Sequence, residues 1–456
     1  MTGERLRDIA GTAAALRSGA VTVPSLVEEA LERASAAAHL VPFVTVHEEQ
    51  ARAAARGLQL LLDNGYDLGP LHGIPVSVKD NIAEAGRPNR AGSTVLGAEP
   101  AGTDAPVLGA LRRAGALIVG RTTMHELAWG GTTDNPHDGT CRNPWDPDRI
   151  PAGSSGGSAV AVSVGASLAA LGTDTGGSVR LPAAATGLTG LRPTIGRVPT
   201  GGVVPLAWTM DTVGPLAPRS ADCAAVYHAI TGQAAPARPP SLRGLRVGVV
   251  ENYTLTGLEA GVERAVRRLL TTLTEQGARV EEVRLPGLDV LVDAQIVVDA
   301  CEPSAVHARG IREHPERFGV DVRAQLEAGH VFSGVEYVQA QRYRAHLASM
   351  VSALWAELDV LVTPTVPFTA PRSGQRVITL NGRDEDVLVA NMRFTALPSM
   401  AGLPALSLPC GFDDAGLPVG AQLIGPAWSE DTLLAVGEGI QRVTDHHGRR
   451  PPHGGW

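Results

Sequence analysis

Two glycine-flanked serines and a lysine that ends an apolar run are the residues of this 456-residue chain whose types and spacing could do chemistry. Ser178 sits in Gly172-Thr-Asp-Thr-Gly-Gly-Ser178-Val-Arg180. Consecutive glycines let backbone N–H groups converge on one point, a nest that can hold an oxyanion while the adjacent hydroxyl attacks a carbonyl. Ser155, in Gly153-Ser-Ser-Gly-Gly157, formally fits the G-x-S-x-G elbow. That elbow needs a strand immediately before it. Asp146-Pro-Asp-Arg-Ile-Pro151 cannot be a central strand, because proline interrupts the ladder. A serine nucleophile also needs a base. No histidine lies in either Gly/Ser segment, which leaves a lysine made neutral by burial. Lys79 follows Ile74-Pro-Val-Ser-Val78, where a charged end residue is out of place, and burial disfavours its ammonium. The plain alternative is a solvated lysine and two ordinary loops, and these residues alone do not exclude it.

Other chemistries find less support. No glycine-rich loop ends in the Gly-Lys-Ser/Thr of a phosphate loop, and none follows a strand as a dinucleotide fingerprint must. His125-Glu126 opens like a zinc-protease helix, but Trp129 stands where the second histidine belongs. Cys141, Cys223, Cys301 and Cys410 are scattered without metal-ligand spacing, so four reduced thiols are expected and structural zinc is not.

These residues need elements to position them. Leu6 to Ala37 has helical periodicity, with Ser25 placed to cap its second helix, and a polar helix follows at Glu48–Asn64. Ile74–Val78 and Leu117–Gly120 predict strands around a helix at Ala105–Ala114, the alternation of a layered α/β protein. The small apolar run Ala159 to Leu171 predicts a tightly buried helix. Gly232–Pro240 is the best linker candidate, and the strand Leu245–Val250 follows it. The C-terminal part predicts a helix at Val335–Glu357, a strand at Val360–Val362, apolar segments at Pro404–Pro409 and Gly420–Ile424, and a last helix at Glu430–His446.

Composition bounds the class. Hydrophobic residues at 44% and charged residues at 19% supply a large core and exclude general disorder. The net charge of −8 argues against a broad nucleic-acid-binding surface. Met1-Thr-Gly-Glu-Arg-Leu-Arg7 shows no apolar leader. The uncharged stretch Ile150–Thr173 is too rich in Gly and Ser for a membrane span. The chain has 53 glycines and 33 prolines but only 4% aromatics, so backbone is expected to pack against backbone.

With these residues in view, the chain resembles the amidase signature family, serine amidases with a Ser–cis-Ser–Lys triad. Gly69 to Asn81, Arg142-Asn-Pro-Trp-Asp146, Gly153 to Ser158, and Gly172 to Ala183 continuing through Gly190-Leu-Arg-Pro-Thr194 carry the likeness. Gly402-Leu-Pro-Ala405 and Gly416 to Gly425 extend it over nearly the whole chain. The resemblance implies a single domain over residues 1–456, with a three-layer α/β/α fold around a large mixed sheet. It makes Lys79 the base, Ser178 the nucleophile and Ser154 the bridging serine. Ser154 stands 24 positions before Ser178, the family's spacing, so the elbow pattern selects the wrong serine. The N–H groups of Thr175, Gly176, Gly177 and Ser178 then form the oxyanion hole. Asp174 and Arg180 either hold that loop or form an ordinary loop salt bridge. Trp129 either shapes the acyl pocket or packs in the core.

Three positions depart from the family. Thr186 stands where it often has Cys, and Arg192 where it often has Lys. Ser429, in Trp428-Ser-Glu-Asp-Thr432, replaces an acidic residue that helps bind glutamine in the subunit feeding ammonia to misacylated tRNA. The resemblance therefore implies a cytoplasmic, homodimeric amidase acting on a small-molecule amide. No metal, cofactor, nucleic acid or membrane partner is expected. A glutamine-hydrolysing subunit of a tRNA-dependent amidotransferase, an acyl-transfer enzyme on the same scaffold, and a binding protein with a retired site remain as alternatives.

Overall fold

The structure, a computed structural model, describes residues 8–234 and 241–454. Eleven strands form one mixed sheet: β1 (Phe43–Val46), β2 (Pro75–Lys79), β3 (Leu117–Thr122), β4 (Ala169–Asp174), β5 (Thr189–Arg192), β6 (Thr212–Ala217), β7 (Arg246–Val250), β8 (Arg279–Val283), β9 (Val360–Pro364), β10 (Ala405–Phe412) and β11 (Pro418–Ile424). Their order is β1-β3-β2-β4-β6-β5-β10-β11-β9-β7-β8. Strands β3, β2 and β4 run parallel, the pairings from β4 through β6, β5, β10 and β11 to β9 are antiparallel, and β9, β7 and β8 are parallel again. Helices cover both faces in a three-layer α/β/α arrangement. Every residue of β2, β3, β4, β6 and β11 is buried. Burial on both faces lets apolar residues follow one another without alternation, as in Leu117–Val119 of β3.

Most of the expected elements form, with shifted ends. Two readings are corrected. The run Ala159–Leu171 is not one helix: the helix spans Gly156–Ser163, Gly165 turns the chain at φ 73°, and Ala169 opens β4. Small apolar residues buried on all sides carry no period that separates helix from strand. A second correction concerns the cap of the helix Val23–Ala36. Thr22 is its N-cap, and Ser25 closes the reciprocal half of a capping box. Leu6, the leader reading at Met1–Arg7 and most of the linker candidate (residues 235–240) lie outside the described residues. The four cysteines are free thiols. Among the described residues no helix is long and apolar enough to cross a membrane.

The small-residue composition has a local meaning in the helix Gly156–Ser163. A Cβ on Gly157 would lie 2.3 Å from the Thr123 carbonyl oxygen and 2.7 Å from that of Pro42. The helix thus seats its first turn directly on neighbouring backbone, beside the ends of β2 and β4.

Candidate active site

Neighbouring strands β2 and β4 run parallel, and each ends on a residue of the site: Lys79 on β2 and Asp174 on β4. Crevices at the carboxyl ends of strands are where α/β sheets place their chemistry. Lys79 is fully buried, and its Nζ donates to Ser154 Oγ at 2.7 Å and to Thr173 Oγ1 at 2.8 Å. Burial pushes the Lys79 pKa down to about 7, although the Asp174 and Asp211 carboxylates pull it upward. Asn81 Nδ2 also donates to Thr173 Oγ1, at 3.1 Å. The Gly153–Ser154 peptide is cis. Among the described residues no hydrogen bond joins the Ser154 and Ser178 hydroxyls. Their segments are linked instead by the Ser155 N–H, which donates to the Ser178 carbonyl at 3.2 Å. The Ser155 hydroxyl donates to the Thr173 carbonyl at 3.2 Å, so this serine braces the turn.

The loop after β4 is gripped from below. Arg180 holds Asp174 in a bidentate pair, Nε to Oδ2 at 2.9 Å and Nη2 to Oδ1 at 2.8 Å, and also reaches Gln422, Ser399 and the Thr395 carbonyl. Arg192 Nη1 donates to Asp174 Oδ1 and to the carbonyls of Asp174 and Thr175. All three charged side chains are wholly buried. Burial would raise the Asp174 carboxyl, but the two guanidiniums outweigh it and hold the group well below the usual carboxylate range. Thr175 Oγ1 donates to Asp211, and Thr395 Oγ1 donates to the Gly176 carbonyl. Gly177 adopts φ 135°, in the region that favours glycine, and a Cβ there would meet Thr395 Oγ1 at 2.7 Å. With its carbonyls and side chains tied down, the loop leaves the N–H groups of Gly176, Gly177 and Ser178 without an acceptor among the described residues.

Ser178 and Gly176 face a cavity of about 300 Å³ walled by apolar side chains, Trp129, Leu181, Leu206 and Phe332 among them. Trp129 is 9% exposed and lines this space, so the wall and core readings both apply to it. A groove of about 630 Å³ beside Ala224 and Leu434, and another of about 830 Å³ beside His47 and Arg112, are larger but carry neither serine nor Lys79. His125 and Glu126 support the Trp129 loop. His125 Nε2 is 3.0 Å from Asp321 Oδ2, and the buried Glu126 accepts from Ser93 Oγ and the Gly319 N–H. Among the described residues no group of three or more His, Cys, Asp or Glu side chains could hold a metal ion.

The Amidase family model matches residues 25–434. The chain belongs to the amidase signature family. One relative, from Chloroflexus aggregans and named as part of a glutamyl-tRNA(Gln) amidotransferase, is 38% identical over 96% of each chain. A crystal structure described simply as that of an amidase superposes with a TM-score of 0.91 at 36% identity, covering 96% of this chain and 99% of that one. The peptide amidase of Stenotrophomonas maltophilia gives 0.83 at 29% identity, covering 98% of both.

These relatives correct the partner expectation for this amidase-family chain. Exclusion of nucleic acid and a homodimer were expected, yet chains this similar are named as one subunit of a glutamyl-tRNA(Gln) amidotransferase. The physical reason is that a net charge of −8 describes this chain's own surface and carries no information about a companion subunit.

Several parts of the site are not legible residue by residue. Thr173, Asp211, Thr395 and Gln422 are ordinary residues in sequence and meet only in the fold. Arg192 carries a signal, a cationic residue inside an apolar strand, which the family likeness registers only as a departure. Ser429 stands at the N-cap position of the helix Glu430–Val443 without a side-chain capping bond and does not line the Ser178 cavity.

Proposed function

We propose that the chain cleaves a carboxylic amide through an acyl-enzyme on Ser178. The observation that carries this is the buried Lys79–Ser154 contact of 2.7 Å beside a loop whose N–H groups point to no protein acceptor among the described residues. Neutral Lys79 takes the Ser154 proton as Ser154 takes that of Ser178. The Ser178 oxygen attacks the carbonyl carbon, and the tetrahedral oxyanion is held by the N–H groups of Thr175, Gly176, Gly177 and Ser178. Ser154 then protonates the nitrogen and recovers its proton from Lys79, the C–N bond breaks, and ammonia or an amine leaves. Water repeats the relay in reverse, releasing the acid and restoring Ser178. Asp174, Arg180 and Arg192 keep the loop in position and take no proton.

The fate of the nitrogen separates two readings. In the first, ammonia or amine is released to solvent. The second, which the relatives' names support more directly, makes the chain the glutamine-hydrolysing subunit of a tRNA-dependent amidotransferase. The cavity wall favours the first, because its described lining holds no Lys or Arg to receive the carboxylate of free glutamine. An ammonia-release screen over acyl, aryl and amino-acid amides including glutamine, with Ser178→Ala as blank, tests the proposal. Signal equal to the blank for every amide, with and without co-purified partner chains and tRNA, would refute it. Glutamine cleavage dependent on those partners selects the second reading.

A further inference from the structure

Asp299 lies on the helix Leu291–Val306 and lines the same, mostly apolar cavity as Ser178. It is 8% exposed, and its Oδ2 accepts from Gln295 Nε2 at 2.9 Å. Its Oδ1 is buried without a hydrogen-bond partner, as is Oε1 of the fully buried Gln295. The pair abuts the oxyanion loop: a Cβ on Gly176 would lie 2.4 Å from Gln295 Nε2 and 3.5 Å from Asp299 Oδ2. Gln295 Nε2 is also 3.7 Å from Met392 Sδ, which brings the segment carrying Asn391 alongside. Asn391 lines the cavity too, and its Nδ2 donor is buried without a partner. Buried polar groups are satisfied in nearly all native proteins, so two orphans on residues that line one cavity, Asp299 Oδ1 and Asn391 Nδ2, with Gln295 Oε1 behind them, point to a ligand that completes them. The surrounding charge is one-sided. Asp211 and Glu302 are the carboxylates that bear on Asp299, while Arg344 is committed to Thr209, Gln341 and the Met400 carbonyl.

We propose that Asp299, held in place by Gln295, forms a substrate subsite that accepts hydrogen bonds from an N–H donor group of the amide substrate, such as an amine or a second carboxamide, and rejects a carboxylate there. Asn391 supplies the complementary donor for a carbonyl. This rests on the reading that amides are cleaved in this cavity and names the polar group they carry. A hydrogen bond to the otherwise unsatisfied Asp299 Oδ1 sets the discrimination at about tenfold or more in affinity.

Binding to the Ser178→Ala protein, measured by calorimetry with valeramide, γ-aminobutyramide, glutaramide and glutaramate, tests it without turnover. At least one donor-bearing amide is expected to bind about tenfold tighter than valeramide, with glutaramate weakest. Glutaramide and γ-aminobutyramide separate a neutral donor from a cationic one. Adding Asp299→Ala should collapse the preference to about twofold. Equal binding of valeramide and both donors, glutaramate binding as tightly as they do, or a preference that survives Asp299→Ala would each overturn the subsite. The ranking with Asp299 intact stands by itself if that variant does not fold. Selective binding by a chain that releases ammonia or amine from no amide of the screen, with or without partner chains and tRNA, would support the subsite and refute the amidase reading.

Discussion

Lys79 combines two demands that pull against each other. A lysine with no water around it costs stability as an ammonium, and the same burial brings its amine form within reach of neutral pH. With its pKa lowered to about 7, the base is protonated in acid and free above that value, so kcat/KM should rise through about pH 7 and then level. A flat profile would mean that Lys79 takes no proton. Stability follows the same group. The unfolded lysine titrates near 10.5 and the folded one near 7, so between these values the unfolded chain binds the extra proton and stability rises with pH. Lys79→Met should therefore stabilise the protein more at about pH 6 than at about pH 9, read by thermal melts, while lowering activity by roughly a thousandfold or more. Ser178→Ala should abolish turnover and labelling by fluorophosphonates while leaving the melt unchanged.

At the scale of elements, the loop after β4 depends on one carboxylate between two arginines. Removing the charge of Asp174 leaves the Arg180 and Arg192 guanidiniums buried and uncompensated. Asp174→Asn should cost roughly 3–5 kcal/mol in chemical denaturation, far more than an exposed ion pair such as Arg264–Asp414. The helix Gly156–Ser163 depends on absence of bulk. Gly157→Ala places a methyl against two carbonyl oxygens, and the expected destabilisation of about 1–3 kcal/mol should come with lost activity, because the same turn carries Ser154. A melt unchanged in that variant would show that the backbone there can give way to a methyl group.

For the whole molecule, the groups placed at the reaction (Lys79, Ser154, Ser178 and the loop N–H groups) all come from a single chain. Purified alone, it should release ammonia or amine from a suitable amide at a rate abolished by Ser178→Ala, measured by coupled ammonia detection. Activity that appears only when a companion chain is supplied would instead assign the protein to an assembly of the kind its relatives are named for. The two outcomes differ in what the cavity must exclude. An amidase acting alone needs water to reach the acyl-enzyme, whereas an assembly must guide ammonia to a second site.

The sequence by itself determined about half of the sheet strands and the helices near the two ends of the chain, and its serine–glycine segments and apolar run singled out Ser178 and Lys79, whereas Ser154 entered only through the family resemblance. Such segments are legible because backbone nests and buried strands demand particular residue types at fixed spacing. Tertiary structure alone decided where the run Ala159–Leu171 breaks, that Arg192 is the second cation on Asp174, and that Asp299, held by Gln295, and Asn391 line one cavity. Those facts depend on residues far apart in the chain, and no local period or motif encodes a partner that only packing brings within hydrogen-bonding distance.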